Sequence, residues 1–149
     1  LANNGATWYI TGLQMEVGSS ATSFDYRPYG TELQLCSRYF QIASMSNGGS
    51  VRVCHMQSYN GAANDGTISF GTPMRTTPSL VAASGSGYYM FYANNNGGQS
   101  FTTLTLQDAT PYVSGVRSSG LSSTTGYSGW VDWTSSAPAG SYVAFSAEL

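Results

Sequence analysis

The sequence predicts an all-β protein, an antiparallel, jelly-roll-like β-sandwich with one short N-terminal α-helix. Three observations support this fold class. The 149-residue chain contains 11 tyrosines and 6 phenylalanines, which favour strands. Only 8% of its residues are charged and none is lysine, whereas a helical bundle would need many Glu and Lys side chains. Paired Asn, Asp and Gly residues also recur along the chain as turn signals, and the length suits a single sizeable core.

Short runs of apolar, aromatic and Thr residues between turn signals predict the individual strands. The turn signals are Asn47-Gly48-Gly49, Asn60-Gly61, Asp65-Gly66 and Asn96-Gly97-Gly98, in which positive φ angles are tolerated. The predicted strands lie near 40–45, 50–57, 67–71, 78–83, 87–93, 101–107, 111–117, 126–133 and 141–147. An alternating run from Trp8 to Val17 predicts one more strand, followed by an extended connector from Gly18 to Gly30.

The segment at about 31–41 is the one convincing helix. Thr31 is the expected N-cap, since Gln34 follows at the capping-box spacing and Glu32 lies in the first turn. Leu33, Leu35, Cys36, Tyr39 and Phe40 fall on one side of this helix. The helix therefore has one apolar face to bury.

Two predicted strands carry apolar side chains on both faces. Between Gly87 and Ala93, one face carries Tyr88, Met90 and Tyr92, and the other face carries Tyr89 and Phe91. The strand from Ser50 to Met56 shows a similar pattern. An ordinary sandwich strand keeps one face in water. A central strand with a covered outer face would explain the pattern, and so would a subunit interface.

Charge and sequence patterns exclude several functions. The net charge is −2 and the five arginines are scattered, so nucleic acid is not an expected partner. No apolar run approaches the length of a membrane helix, and membrane insertion is not expected. The chain starts without a signal-peptide pattern, which suggests a piece of a longer protein. Cys36 and Cys54 are expected to be two buried thiols rather than a bridge.

No motif for a metal site, a cofactor or a catalytic triad is present, so we expect no metal, no cofactor and no catalytic residue. The only histidine, His55, is interpreted as a packed or interface residue of a strand. Glycoside hydrolysis needs two facing carboxylates, and no two of the seven acids lie close together in the chain. A polysaccharide depolymerase that uses Asp65, Asp108 and Asp132 at subunit seams is kept as an alternative.

Aromatic side chains next to small neutral polar groups are the strongest sign of a binding site. An exposed aromatic ring stacks on a sugar ring, and Asn, Asp and Ser hydrogen-bond to hydroxyl groups. Trp130 and Trp133 should lie on opposite faces of one strand, so that one indole is in the core and the other is at a surface. The same residues also make ordinary β-turns. The candidate ligand contacts are Trp130, Trp133, Tyr127, Asp132, Asn94, Asn95, Asn96, Tyr59 and Asn60.

The segment from Ile10 to Phe40 resembles a stretch found in tail fibre and related structural proteins of tailed bacteriophages, of the form GLQLEVG…AT.FE.R.YG.EL..C.RYY. The matching residues are Gly12, Gln14, Glu16, Val17, Gly18, Ala21, Thr22, Phe24, Arg27, Tyr29, Gly30, Glu32, Leu33, Cys36, Arg38, Tyr39 and Phe40. The run Pro73-Met74-Arg75-Thr76-Thr77-Pro78 resembles the P.MR..P strand of the same proteins, and Ala147-Glu148-Leu149 resembles their terminal AEL.

This resemblance implies a virion protein, made in the bacterial cytoplasm, whose trimeric tip contacts the host surface. Residues 1–30 would end a stem or a preceding β domain, and residues 31–149 would form the C-terminal tip. The helix would pack on the sandwich or on symmetry-related copies. Arg75 matches the family pattern and is interpreted as part of a structural ion pair in preference to a ligand contact. The expected partners are a host polysaccharide or lipopolysaccharide and two further copies of the chain. The alternative without a receptor site is a trimerisation or end-capping module.

Overall fold

The protein is an antiparallel two-sheet β-sandwich with one short helix, as the sequence predicts. The structure is a computed structural model that describes Thr7, residues 9–93 and residues 97–148. The helix α1 spans Tyr29–Ser37. The strands are β1 Phe40–Met45, β2 Arg52–Ser58, β3 Ala63–Ser69, β4 Ser79–Ala82, β5 Tyr89–Ala93, β6 Gly98–Phe101, β7 Thr105–Ala109, β8 Val113–Ser119, β9 Ser128–Trp133 and β10 Tyr142–Ser146. Among the described residues, no helix is both long and apolar enough to span a lipid bilayer.

The described strands form one small and one large sheet, in which neighbouring strands pair antiparallel. The small sheet has the order β1-β10-β4, and the large sheet has the order β6-β5-β9-β2-β3-β8-β7. The core lies between them, where Val143 and Phe145 of β10 meet Val131 and Trp133 of β9 and Tyr89 of β5. Each sheet therefore has a second, outer face that the core does not use.

The strand predictions differ from the structure at three places. The predicted strand at 101–107 is two strands, β6 and β7, which lie at opposite edges of the large sheet. The Asp65-Gly66 pair, predicted as a turn, lies inside β3; a Cβ at position 66 would overlap the carbonyl oxygen of His55 on β2. Residues 9–17 form no strand, because no strand of the described chain pairs with them; Trp8 lies outside the described residues.

Helix α1 begins earlier and ends earlier than predicted. Pro28, not Thr31, occupies the N-cap position, and the Pro28 carbonyl accepts hydrogen bonds from the amides of Thr31 and Glu32. The fixed φ of proline places the chain at the start of a helix, so the first turn forms before Thr31 is reached. The helix ends at Ser37 because Phe40 already pairs with Ser146 in the small sheet. None of its side chains is buried.

A bulge in β2 accounts for part of the apolar pattern of this strand. Arg52 is opposite Asp132 and Cys54 is opposite Val131, so Val53 is the extra residue. The bulge lets Val51 and Val53 pack against the core together with Cys54. In β5 the alternation is regular: Tyr89 and Phe91 are buried, and the other face is half-buried. This strand lies between β6 and β9, as the interpretation of a central strand requires.

Candidate functional site

The outer face of the large sheet gathers polar and aromatic side chains from four neighbouring strands. Cys54 and Met56 of β2 point into the core, so the residues that alternate with them point outward. We call this surface the polar sheet face. It consists of Arg52, His55, Gln57, Tyr59, Asp65, Thr67, Arg117, Ser128, Trp130 and Asp132. The register puts Trp130 opposite His55, Ser128 opposite Gln57, and Gln57 opposite Asp65.

Two ion pairs hold this face in a fixed arrangement. Arg117 Nη2 lies 2.7 Å from Asp65 Oδ2, and Arg117 Nε donates to Asp65 Oδ1, which makes the contact bidentate. The hydrogen bond from Arg117 lowers the pKa of the Asp65 carboxyl. Arg52 Nε lies 2.6 Å from Asp132 Oδ1. The charges of both carboxylates are therefore balanced by neighbouring guanidinium groups.

Each of these arginines also lies beside an aromatic ring. The Arg52 guanidinium carbon is 4.6 Å from the centre of the Trp130 ring, and the Arg117 guanidinium carbon is 5.3 Å from the centre of the Tyr59 ring. Tyr92 of β5 lies on the same face, with its ring centre 6.2 Å from that of Trp130. The indole of Trp130 thus has one neighbour that is a cation and another that is a ring.

Two adjoining depressions lie on the polar sheet face. The first, of about 280 Å³, is lined by Gln57, Ser58, Tyr59, Asp65, Thr125 and Gly126. The second, of about 340 Å³, is lined by His55, Met56, Gln57, Asp65, Gly66, Thr67 and Ser128. Gln57 and Asp65 border both depressions, so the two form one shallow groove across β2 and β3. The groove offers an amide, a carboxylate, hydroxyl groups and an aromatic ring to a polar ligand.

A larger hollow of about 710 Å³ lies elsewhere, between residues 11–16, residues 24–27 and Glu32. Its walls belong to the segment that precedes the sandwich and the start of α1. This segment is stabilised locally: the amide of Asp25 donates to Gln14 Oε1, and the Thr22 hydroxyl donates to Glu16. Residues 9–28 are exposed along their whole length. The hollow is enclosed by an exposed loop. Its lining residues do not pack on the core, which would fix the shape of a binding site.

The two tryptophans lie on opposite faces of β9, as predicted. Trp130 is on the polar sheet face with an exposed fraction of 40%. Trp133 is fully buried, and its Nε1 donates to Ser44 Oγ at 2.9 Å. The prediction that Trp133 contacts a ligand is therefore wrong, because its indole completes the core and joins the two sheets.

The other candidate contacts are only partly brought together. Tyr59 lines the first depression, with an exposed fraction of 64%. Tyr127 is exposed but lines neither depression, and Asp132 is nearly covered by its pairing with Arg52. The Asn60 side chain accepts hydrogen bonds from the amides of Ala62 and Ala63, which is the β-turn role considered as the alternative. The three remaining candidates, Asn94, Asn95 and Asn96, lie outside the described residues.

Sequence reasoning missed the residues that build the groove. His55 lies in a strand as predicted, and its side chain is exposed, so the interpretation as a packed residue is wrong and the interpretation as an interface residue stays a prediction. Gln57, Asp65 and Thr67 were not singled out as ligand contacts. The alternation of His55, Gln57 and Tyr59 along β2 could have revealed one row of the face. The neighbouring row depends on the pairing of β2 with β3.

The three acids of the depolymerase alternative do not all lie on the polar sheet face. Asp65 and Asp132 belong to the polar sheet face and are each paired with an arginine, while Asp108 is exposed on β7. Arg75 forms no ion pair within the described residues; its guanidinium lies 5.3 Å from the ring centre of Tyr39. Within the described part of the chain, no three His, Cys, Asp or Glu side chains come together as a metal site would require.

The two cysteines are free and should differ strongly in reactivity. Cys54 is buried as predicted, and burial raises the pKa of its thiol to about 12. Cys36 is exposed, which corrects the prediction of two buried thiols: α1 turns no side chain into the core. Since the thiolate is the reactive form, a disulfide reagent at pH 8 should titrate one thiol in the folded monomer, obtained at low protein concentration, and two in urea. A Cys36→Ser variant should show none before unfolding; rapid reaction of this variant would contradict the burial of Cys54.

Comparison with known proteins adds no relative: no protein-family model, no curated protein and no solved structure matches the chain.

Proposed function

We propose that this chain is the tip domain of a bacteriophage tail fibre and that its polar sheet face binds a glycan of the host surface without cleaving it. The observation that carries the glycan proposal is the groove across β2 and β3. There Tyr59, more than half exposed, stands beside the Gln57 amide and the Asp65 carboxylate. The sequence resemblance from Ile10 to Phe40 supports the tail fibre assignment, which places the protein in the virion.

The groove has the chemistry that a sugar needs. The Tyr59 ring offers an apolar surface for the C–H groups of a pyranose, and its hydroxyl group can hydrogen-bond to the ligand. The Gln57 amide supplies both a donor and an acceptor, and Asp65 keeps free lone pairs although it accepts from Arg117. Each depression is at the small end of the range of ligand sites, about 300 Å³, which favours one sugar unit in each.

The charge balance of the face favours neutral sugar units. Arg117 neutralises Asp65 and Arg52 neutralises Asp132, so neither a carboxylate nor a phosphate group on the ligand would meet an unpaired cation there. A shallow, open groove binds a single chain weakly. Three copies in one homotrimer would raise the effective concentration of the second and third sites, and binding by avidity would follow.

Replacing Tyr59 with alanine should weaken glycan binding about tenfold, because the ring is the main apolar surface of the groove. The measurement is binding of the full chain to a glycan array, followed by calorimetry with the polysaccharide that the array identifies. Tyr112→Ala is the matched control, since Tyr112 is equally exposed in the turn between β7 and β8 and lines neither depression.

Equal binding by the Tyr59→Ala variant and the wild type would place the site elsewhere. Failure of the wild-type chain to bind any bacterial surface polysaccharide would contradict the glycan proposal as a whole. Release of reducing ends during incubation would instead establish the depolymerase alternative.

The second candidate function is a trimerisation or end-capping module of a fibre. The observation that favours it is the exposed apolar surface of α1 and of the small sheet, which includes Leu33, Phe40 and Ile42. Deleting residues 31–149 from a longer fibre would distinguish the two functions. Loss of fibre assembly supports the module, whereas an assembled fibre that no longer adsorbs to cells supports the receptor-binding tip.

A further inference from the structure

Helix α1 receives little support from the described part of its own chain, apart from the ion pair of Glu32 with Arg27. It is nine residues long, no side chain caps its N-terminus and none of its residues is buried. Isolated helices shorter than about 12–15 residues are marginal in water, and most helices of proteins are stabilised by packing. The helix nevertheless presents large apolar side chains, with Leu33 51% exposed. Its apolar side therefore packs on no surface among the described residues.

Among the described residues, the exposed apolar side chains on the outer face of the small sheet have no cover. Val143 and Phe145 of β10 point into the core, so Tyr142 and Ala144 point outward; Ala144 is itself fully buried beneath its neighbours, and Tyr142 is exposed. The register places Ile42 and Val81 on either side of Ala144. The Phe40 and Tyr142 rings meet edge to face, with their centres 6.3 Å apart. We call this surface the apolar sheet face; its exposed members are Phe40, Ile42, Met45, Val81 and Tyr142.

We infer that α1 of one copy packs on the apolar sheet face of a second copy of this chain. This inference rests on the self-association proposed above and does not depend on the glycan. Among the described residues, nothing packs on the apolar side of the helix and nothing covers the apolar sheet face. Every copy of the chain carries one of each, so two copies can supply the missing contact. With Tyr29, Leu33, Leu35 and Tyr39 on the helical side, the two surfaces expose roughly 800 Å² of apolar area, if a large side chain has about 200 Å². One contact would therefore bury about 800 Å² of apolar area from both partners together, which is close to the apolar share, roughly 56%, of a standard interface of about 1,600 Å².

Closure of the assembly follows from the two different surfaces. A helix that sits on a sheet is a heterologous contact, in which each copy uses one surface to bind and offers the other. In a closed ring every helix is covered and every apolar sheet face is occupied. The polar sheet face belongs to the other sheet of the sandwich and stays outside this contact. Self-association and ligand binding would therefore use different sides of the molecule.

The test is the molar mass of the full chain by light scattering over a range of concentrations. The wild type should have a multiple of the 15.7 kDa chain mass. Leu33→Glu on the helix and Ile42→Lys on the sheet should each raise the dissociation constant at least tenfold and yield monomers. A chain that carries both substitutions should recover part of the association, because the new carboxylate and ammonium groups meet across the contact. The matched control is Leu13→Glu, since Leu13 is 81% exposed in the segment before α1 and should not change the mass.

Several outcomes would overturn the inference: a monomeric wild type, association of Leu33→Glu as strong as that of the wild type, or dissociation caused by Leu13→Glu instead. The last would mean that the segment 9–28 covers the apolar sheet face. Circular dichroism and the fluorescence of the buried Trp133 check folding, and neither Leu33 nor Ile42 lies in the core. If the inference holds, monomeric Leu33→Glu keeps the glycan affinity per chain and loses only avidity, so the two proposals can fail separately.

Discussion

Replacing Trp133 with alanine is expected to lower the free energy of unfolding by about 4 kcal/mol, because the side chain is large and fully buried. Its ring centre lies 4.6 Å from that of Tyr89, within the core of the large sheet. Its Nε1 donates to the hydroxyl of Ser44 on β1, which belongs to the small sheet. Ser44 Oγ in turn donates to the carbonyl of Arg52. The indole thus fills the core. Through Ser44 it also connects β9 and β2 of the large sheet to β1 of the small sheet.

Trp130→Ala is the matched control, since it removes the same side chain from the same strand. Trp130 is 40% exposed and its Nε1 has no hydrogen bond to protein among the described residues, so we expect a loss below about 1.5 kcal/mol. Urea unfolding of both variants, followed by circular dichroism, gives the comparison. A similar loss for the two variants would contradict the assignment of Trp133 to the core. Ser44→Ala tests the hydrogen bond with the indole in place, because it removes the acceptor and keeps the large core side chain.

Alternation within single strands was predictable from the sequence, because it depends only on the geometry of one extended chain. The separation of Trp130 from Trp133 by three positions places them on opposite faces, and the structure confirms this. The burial of Tyr89 and Phe91 in β5 follows from the same rule. The turn at Asn60-Gly61 was also predictable, because an Asn-Gly pair tolerates positive φ angles. The structure confirms it, since Gly61 has a φ of 81°.

Features that depend on pairing between distant strands were not predictable. The bulge at Val53 arises because Arg52 is opposite Asp132 while Cys54 is opposite Val131, about 80 residues away. The start of α1 at Tyr29 was missed because a favourable cap at Thr31 was preferred to the fixed φ of Pro28. The candidate site shows the same limit: Tyr59 and Trp130 were recognised as aromatic, whereas the position of Asp65 beside Gln57 depends on the register of β2 and β3.

The close approach of β5 and β9 leads to a second prediction with a large effect, Gly129→Ala. Gly129 lies in β9 opposite Ala93 of β5 and Met56 of β2. An added Cβ would overlap the carbonyl oxygen of Tyr92 and lie 2.9 Å from the Cα of Ala93. These are backbone atoms, so no side-chain rotation can relieve the overlap. The two strands would have to separate in the centre of the large sheet, and we expect a loss of more than about 3 kcal/mol in unfolding free energy.

Gly30→Ala is the control for the loss of a glycine, because Gly30 lies in α1 with nothing within 4 Å of an added Cβ. Alanine favours a helix over glycine by up to about 1 kcal/mol, so this variant should be as stable as the wild type or slightly more so. Thermal and urea unfolding of both variants are the measurements. Because β9 carries Trp130 on one face and Trp133 on the other, strand separation in Gly129→Ala should disturb the core and the polar sheet face together. A Gly129→Ala variant with wild-type stability would mean that β5 and β9 do not approach as closely as the register requires.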